Sequence, residues 1–260
     1  MLGTVTRVAP AQKHVWQRKS NTSASRARRL VVKASVTQET VEEAKTRLLK
    51  LGAISCRGSE ATTTQMAEAS ELVAELGEIG CSDSAYLDGS WLLVMSSTKA
   101  FRSSPFFWAV GEMMGDMANF FYEAHEHQTS LFGGGIGEVV QTIDLANEEL
   151  LSDCVVKASL GVPLIGWAPV VSGSGRVKTS ASVRIVDETS LACTVKNTAL
   201  DGGPEAIAPA LNGTVVPVSD AMSAINSGAV PEVVFETKFA DDQLRISQLP
   251  DGAWFVYVRQ

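Results

Sequence analysis

The chain has 260 residues, of which 45% are apolar and 20% charged, and a formal net charge of −7. That balance suits a globular protein and excludes collagen, a coiled coil and a fully disordered chain. No run of about 18 apolar residues exists, so a membrane-spanning helix is excluded too.

Residues 1–34 carry eight basic side chains, from Arg7 to Lys33, and no acidic one. The remaining 226 residues hold 14 basic and 29 acidic side chains, a balance of −15. A basic, hydroxyl-containing, acid-free start is the signature of an organelle transit peptide. It lacks the apolar stretch of a secretory signal. Val32-Lys33-Ala34-Ser35 resembles a plastid processing site. The expected division is a transit peptide over 1–34, a helical segment over 35–80 and a β domain over 81–260. A mitochondrial presequence and a basic nucleic-acid-binding arm are the alternatives. The acidic body would repel phosphate, which argues against nucleic acid.

Two short helices follow. Thr37–Leu51 has Val41, Ala44, Leu48 and Leu51 at helical spacing, with acidic residues near its start. Ala61–Ile79 repeats the pattern with Met66, Ala69, Leu72, Val73 and Leu76. Both apolar faces are modest, so these helices are expected on the outside or at the end of something larger. The first strong strand is Ser90–Ser96, launched by Asp88-Gly89. Ser104 then suits an N-cap and Pro105 a first helical residue. One helix is predicted after them, with Phe106, Val110, Met113, Met114, Met117, Phe120 and Phe121 on one broad face.

From Gly137 onward the period changes to two. Val233, Phe235 and Phe239 are placed on one strand face, and Leu244 and Ile246 alternate with Gln243, Arg245 and Ser247. Val183 and Ile185 flank Arg184, and Leu191, Cys193 and Val195 flank Thr194 and Lys196. Turn signals at 146–148, 187–189 and 250–252 separate the runs. No βαβ alternation appears. The pattern predicts seven to ten antiparallel strands in a barrel or strongly curved sheet. Asp201–Val230 is rich in Gly, Pro and Ala, as a lid or binding loop is.

No catalytic, metal or cofactor constellation emerges. Gly133–Gly137 lacks the Lys-Ser/Thr ending of a phosphate loop and precedes a strand. His125-Glu126-His127 lies at a helix end, where i and i+2 diverge, so a solvated terminus is the reading preferred to a metal site. Ser172–Gly175 fits no nucleophile-elbow frame. Cys56, Cys81, Cys154 and Cys193 form no C-x-x-C motif. Free thiols are expected, with a Cys56–Cys81 bridge as the alternative. What remains is apolar. Trp91, Phe101, Phe106, Phe107, Trp108, Met113, Met117, Phe235 and Trp254 are candidates for the lining of a pocket holding one hydrophobic ligand. On physics alone, the simpler reading is that the same residues make a plain core.

Four stretches resemble the plastid lipid-associated protein, or fibrillin, family. Leu87–Ser97 is similar to its opening Gly-x-Trp strand, and Phe101–Ala109 to a block typical of one branch. Ile136–Asp144 is similar to its Gly-x-x-x-Gln-x-Ile strand. Asp241–Ser247 with Gly252–Tyr257 resembles its C-terminal hairpin. Val94-Met95 departs from the aromatic-Thr pair of many members. The resemblance covers about residues 37–260. It implies an α+β, mainly β fold: a lipocalin-like antiparallel β-barrel or half-barrel with N-terminal helices and one helix inserted after the first strand. Gly89 and Trp91 match the first lipocalin-like motif, and Asp242 and Arg245 the acidic and basic positions of the C-terminal one. Trp91 would plug a barrel end that Arg245 caps.

The function so implied is non-enzymatic binding or organisation of an apolar plastid molecule: a carotenoid, a prenylquinone or an acyl lipid. The partner surface is a plastoglobule or thylakoid, touched peripherally, and no cofactor is expected. Two alternatives stand beside it. One is an isomerase or cyclase using Glu138, Asp144 or Asp242 as a buried acid. The other is a scaffold with a filled, ligandless barrel.

Overall fold

A computed structural model describes residues 38–80, 83–130, 134–162, 168–202 and 213–260. The expected transit peptide, Cys81, Gly133, Trp167 and residues 203–212 of the Gly/Pro/Ala-rich stretch lie outside the described residues; the rest of that stretch, read from composition as a loop, holds a short strand and a helix.

Helix α1 (Gln38–Ile54) buries Ala44, Leu48 and Leu51. Helix α2 (Thr63–Ile79) buries Ala69, Leu72, Val73 and Leu76. It opens with a capping box in which Thr62 and Gln65 satisfy each other's backbone N–H. Strand β1 (Gly89–Ser96) comes next, then α3 (Pro105–Met114) and α4 (Ala118–Ser130). The single inserted helix expected from periodicity is thus two. Gly115 ends α3 at φ +54°, a left-handed backbone that glycine alone adopts cheaply. The break rotates the apolar stripe, leaving Met117 67% and Phe120 75% exposed. Ser104 stands at the N-cap of α3 but its side chain makes no capping hydrogen bond.

Strands β2 (Gly135–Asp144), β3 (Glu149–Val162), β4 (Ala168–Ile185) and β5 (Ser190–Gly202) follow as a meander. The two-residue β6 (Val215–Val216) and helix α5 (Val218–Ile225) fill the crossover to β7 (Glu232–Ala240), β8 (Leu244–Gln248) and β9 (Trp254–Arg259). Strand β9 pairs with β1 and β5 with β7, all antiparallel. Eight strands, all but β6, therefore close into a lipocalin-like barrel, as the resemblance implies.

Trp91, Leu93, Val139, Ile143, Leu150, Val183, Cys193, Phe235, Phe255 and Tyr257 belong to the interior core. A second core lies outside the barrel wall. There α1 and α2 cover Met95, Phe239, Leu244, Ile246, Trp254 and Val256. Two layers of burial explain why β9 is apolar on both faces.

Among the sheet's register shifts, two decide which residues meet the helical layer. One falls between Leu93 and Met95, the other between Thr237 and Phe239. Each inserted residue shifts the alternation by one. Phe239 consequently leaves the face of Val233 and Phe235 and packs under the helices, against the even alternation expected for β7. On β8 the helical layer takes Leu244 and Ile246, so Arg245 and Ser247 belong to the opposite, inward face.

Candidate ligand-binding site

One end of the barrel is roofed by a 3-10 turn (Ala100–Ser103), α3, α4 and α5. Under that roof is a cavity of about 330 Å³. Its lower wall is inward-facing β residues: Ile136 and Val139 of β2, Cys154 and Val156 of β3, Val177 and Thr179 of β4, Thr198 of β5. Its upper wall is Phe101, Phe106, Phe107, His125, Val216 and Val218, with Ser103 and Ser104. No carboxylate, lysine or arginine is among these lining residues.

The aromatic wall is interlocked. Phe101 and Phe107 ring centroids are 4.6 Å apart, and Phe106 meets Phe107 edge-on at 5.0 Å. His125 packs on Phe101 at 4.7 Å and on Phe107 at 4.8 Å. Burial holds the His125 pKa below the ordinary imidazole value. Burial likewise pushes the Cys154 thiol up to about 11, so it stays a neutral apolar wall group. The hydroxyls of Thr179 and Thr198 bond each other at 3.1 Å.

The structure brings together only part of the expected lining. Phe101, Phe106 and Phe107 are on the cavity wall. Trp108 and Phe235 pack on each other at 5.0 Å in the interior core, and Trp108 Nε1 donates to Arg102 O at 2.7 Å. Met113 is half-buried beside the roof cluster, and Met117 faces solvent because of the break at Gly115. Trp254 lies on the outer face, beneath α1 and α2. Trp91 is fully buried deeper in the barrel, where its Nε1 donates to Leu87 O at 3.0 Å.

None of the barrel-end residues Gly89, Asp242 and Arg245 lines the cavity. Arg259 and Arg245 flank the Trp91 ring, at 4.3 and 5.3 Å from its centroid. Gly89 sits at φ +117°, and a Cβ there would lie 2.5 Å from Arg259 Nη1. Glycine therefore lets the guanidinium reach the Asp88 and Tyr86 carbonyls, at 2.8 and 2.7 Å. Asp242 is exposed, and it is its main-chain oxygen that accepts from Arg259 Nε. Of the other acids that an enzyme would use, Glu138 is exposed, and Asn147 bonds to Asp144 hold that carboxyl below its usual range. None of the three lines the cavity.

Sequence reasoning missed three contributors. His125 reads as a solvated helix end but forms part of the wall. Gln141 and Thr179 interrupt the apolar alternations Val139-x-Gln141-x-Ile143 and Val177-x-Thr179-x-Ala181 at inward positions. A polar residue in the core register of an apolar strand is the signal that marks them. Gln141 Nε2 donates to Ser103 O at 2.6 Å, tying β2 to the roof.

A family model described as PAP_fibrillin matches residues 42–258. The chain belongs to the PAP/fibrillin family. The four stretches that resemble the family fall on β1, on the 3-10 turn and α3, on β2 and on the β8–β9 hairpin. Neither the curated proteins nor the solved structures yielded a match. Membership in the fibrillin family supports a plastid lipid-associated protein. Among the described residues, no helix is long and apolar enough to cross a membrane.

Proposed function

We propose that this chain binds or organises an apolar plastid molecule without chemically changing it, at a plastoglobule or thylakoid surface. The molecule is of the carotenoid, prenylquinone or acyl-lipid class. One observation carries the reading: an uncharged cavity walled by aromatic and aliphatic side chains under a helical roof. Its 330 Å³ is at the lower end of the ~300–1,000 Å³ of small-molecule sites. A forty-carbon carotenoid would leave part of its length outside, whereas one acyl or prenyl segment is well matched. Each 100 Å² of apolar ligand surface removed from water contributes about 2.5 kcal/mol before the costs of binding. On this reading residues 1–34 are the plastid transit peptide, 35–80 the helical cover and 81–260 the binding barrel.

The test compares the protein with Val177→Phe, which fills the cavity from its wall. Each is incubated with plastid lipid extract, re-isolated and analysed by mass spectrometry. The native protein should retain an apolar species that the variant loses, with both equally folded by circular dichroism. No retained species, together with no flotation on lipid droplets, would sink the proposal.

A further inference from the structure

Inside the barrel, off the cavity wall, is a group that an apolar ligand alone does not explain. Arg245 is fully buried on β8. Its Nη2 donates to Gln141 Oε1 at 2.6 Å, while Nε and Nη1 have no hydrogen-bond partner. The rings of Tyr257 and Trp91 stand 4.4 and 5.3 Å from the guanidinium carbon, and Arg259 brings a second positive charge to the same tryptophan. Ser247 Oγ, on the same strand, and Thr237 Oγ1, on its cross-strand partner, are also buried and unpartnered. Aromatic faces soften the burial of a cation without replacing an anion. A buried guanidinium with one neutral acceptor is left short of full compensation.

This group connects to the cavity. Gln141 reaches from Arg245 to the main-chain oxygen of Ser103, and Ser103 is on the cavity wall. Val139, the next inward residue on β2, is on that wall too. Two hydrogen bonds through the Gln141 amide therefore link the guanidinium to a residue of the cavity wall.

We propose that Arg245 is the head-group site for an ionised long-chain carboxylic acid, whose chain fills the cavity and whose carboxylate replaces the Gln141 amide oxygen. The inference rests on the cavity being the ligand site and adds selection by charge. Gln141 Oε1 marks where the first oxygen sits. A carboxylate brings a second oxygen for the unpartnered Nε, giving the side-on, two-bond pairing that a neutral head cannot make. Burial pushes Arg245 down only to about 10, so it remains charged at neutral pH.

The test titrates the full chain with palmitic acid and with hexadecanol, probes of one chain length, by calorimetry at neutral pH. Both should bind, the acid about tenfold or more tighter. Arg245→Gln should weaken the acid alone. Gln141→Glu, which supplies an internal carboxylate, should erase the preference as well, and carries the test if Arg245→Gln does not fold. In the native protein the bound carboxyl, followed by carbon-13 NMR of labelled palmitate, should stay ionised to below the range of a free carboxyl. Equal affinities, or a preference for the acid that survives both substitutions, would overturn the proposal. Binding of hexadecanol alone would overturn it and leave the cavity reading standing. Binding of neither would overturn both.

Discussion

His125 packs its imidazole on Phe101 and Phe107, and burial depresses its pKa from the ordinary 6.5. The sign of the consequence follows from proton counts. Between the depressed folded value and 6.5, the unfolded chain binds a proton that the folded chain does not, so stability falls as pH falls through that window. The melting temperature should therefore decline on acidification from neutral pH through the histidine range, ahead of the carboxylate titrations. His125→Phe should flatten that part of the profile in a thermal-denaturation series. Other single residues show how much one position reveals. Trp91 in its Gly-x-Trp setting is readable as a buried anchor. Gln141 looks like a stray polar residue until the strand register turns it inward beside Ser103.

Helices α1 and α2 are legible one by one, because an i, i+3, i+4 stripe and a capping box are local properties. Their docking is not. It depends on Lys45, a buried side chain that bonds Glu42 at 2.9 Å, Asp241 at 2.8 Å and Gln243 at 3.1 Å, and so pins α1 to the β7–β8 turn. Lys45→Met keeps the bulk and removes the charge, leaving Asp241 without its cation. The cost should be about 1–3 kcal/mol, below the range for a fully buried pair because Asp241 is partly solvated. Urea denaturation measures it, and adding Asp241→Asn should recover part of the loss. Arg57 fastens the α1–α2 loop at the other side, donating to the Ile136 and Gly137 carbonyls at the start of β2. The insertion between β1 and β2 shows the opposite limit of local reading. Its apolar positions are continuous in sequence, and only the backbone turn at Gly115 divides them between core and solvent.

For the whole molecule, the charge of −7 averages a basic first 34 residues and a body of −15. An acidic body gains nothing from an anionic lipid surface, so its lipid contacts must be apolar or made through another protein. Residues 35–260 should bind neutral galactolipid vesicles at least as well as anionic ones, with little response to salt. The full chain should show an added, salt-sensitive association with anionic vesicles through its eight basic side chains. Flotation across a salt series reads both. By itself the sequence determined the class of the fold, the two N-terminal helices, the first strand, the run of antiparallel strands after Gly137 and the likeness to the family. Each of these is carried by contiguous residues, through their periodicity or through motif resemblance. The tertiary structure alone decided which side of each strand faces the barrel interior. Two bulges and an outer helical layer send Phe239 out, turn Arg245 in, and join it to Gln141 across 104 residues of chain. Burial belongs to the neighbours that barrel closure supplies, and those neighbours are distant in sequence.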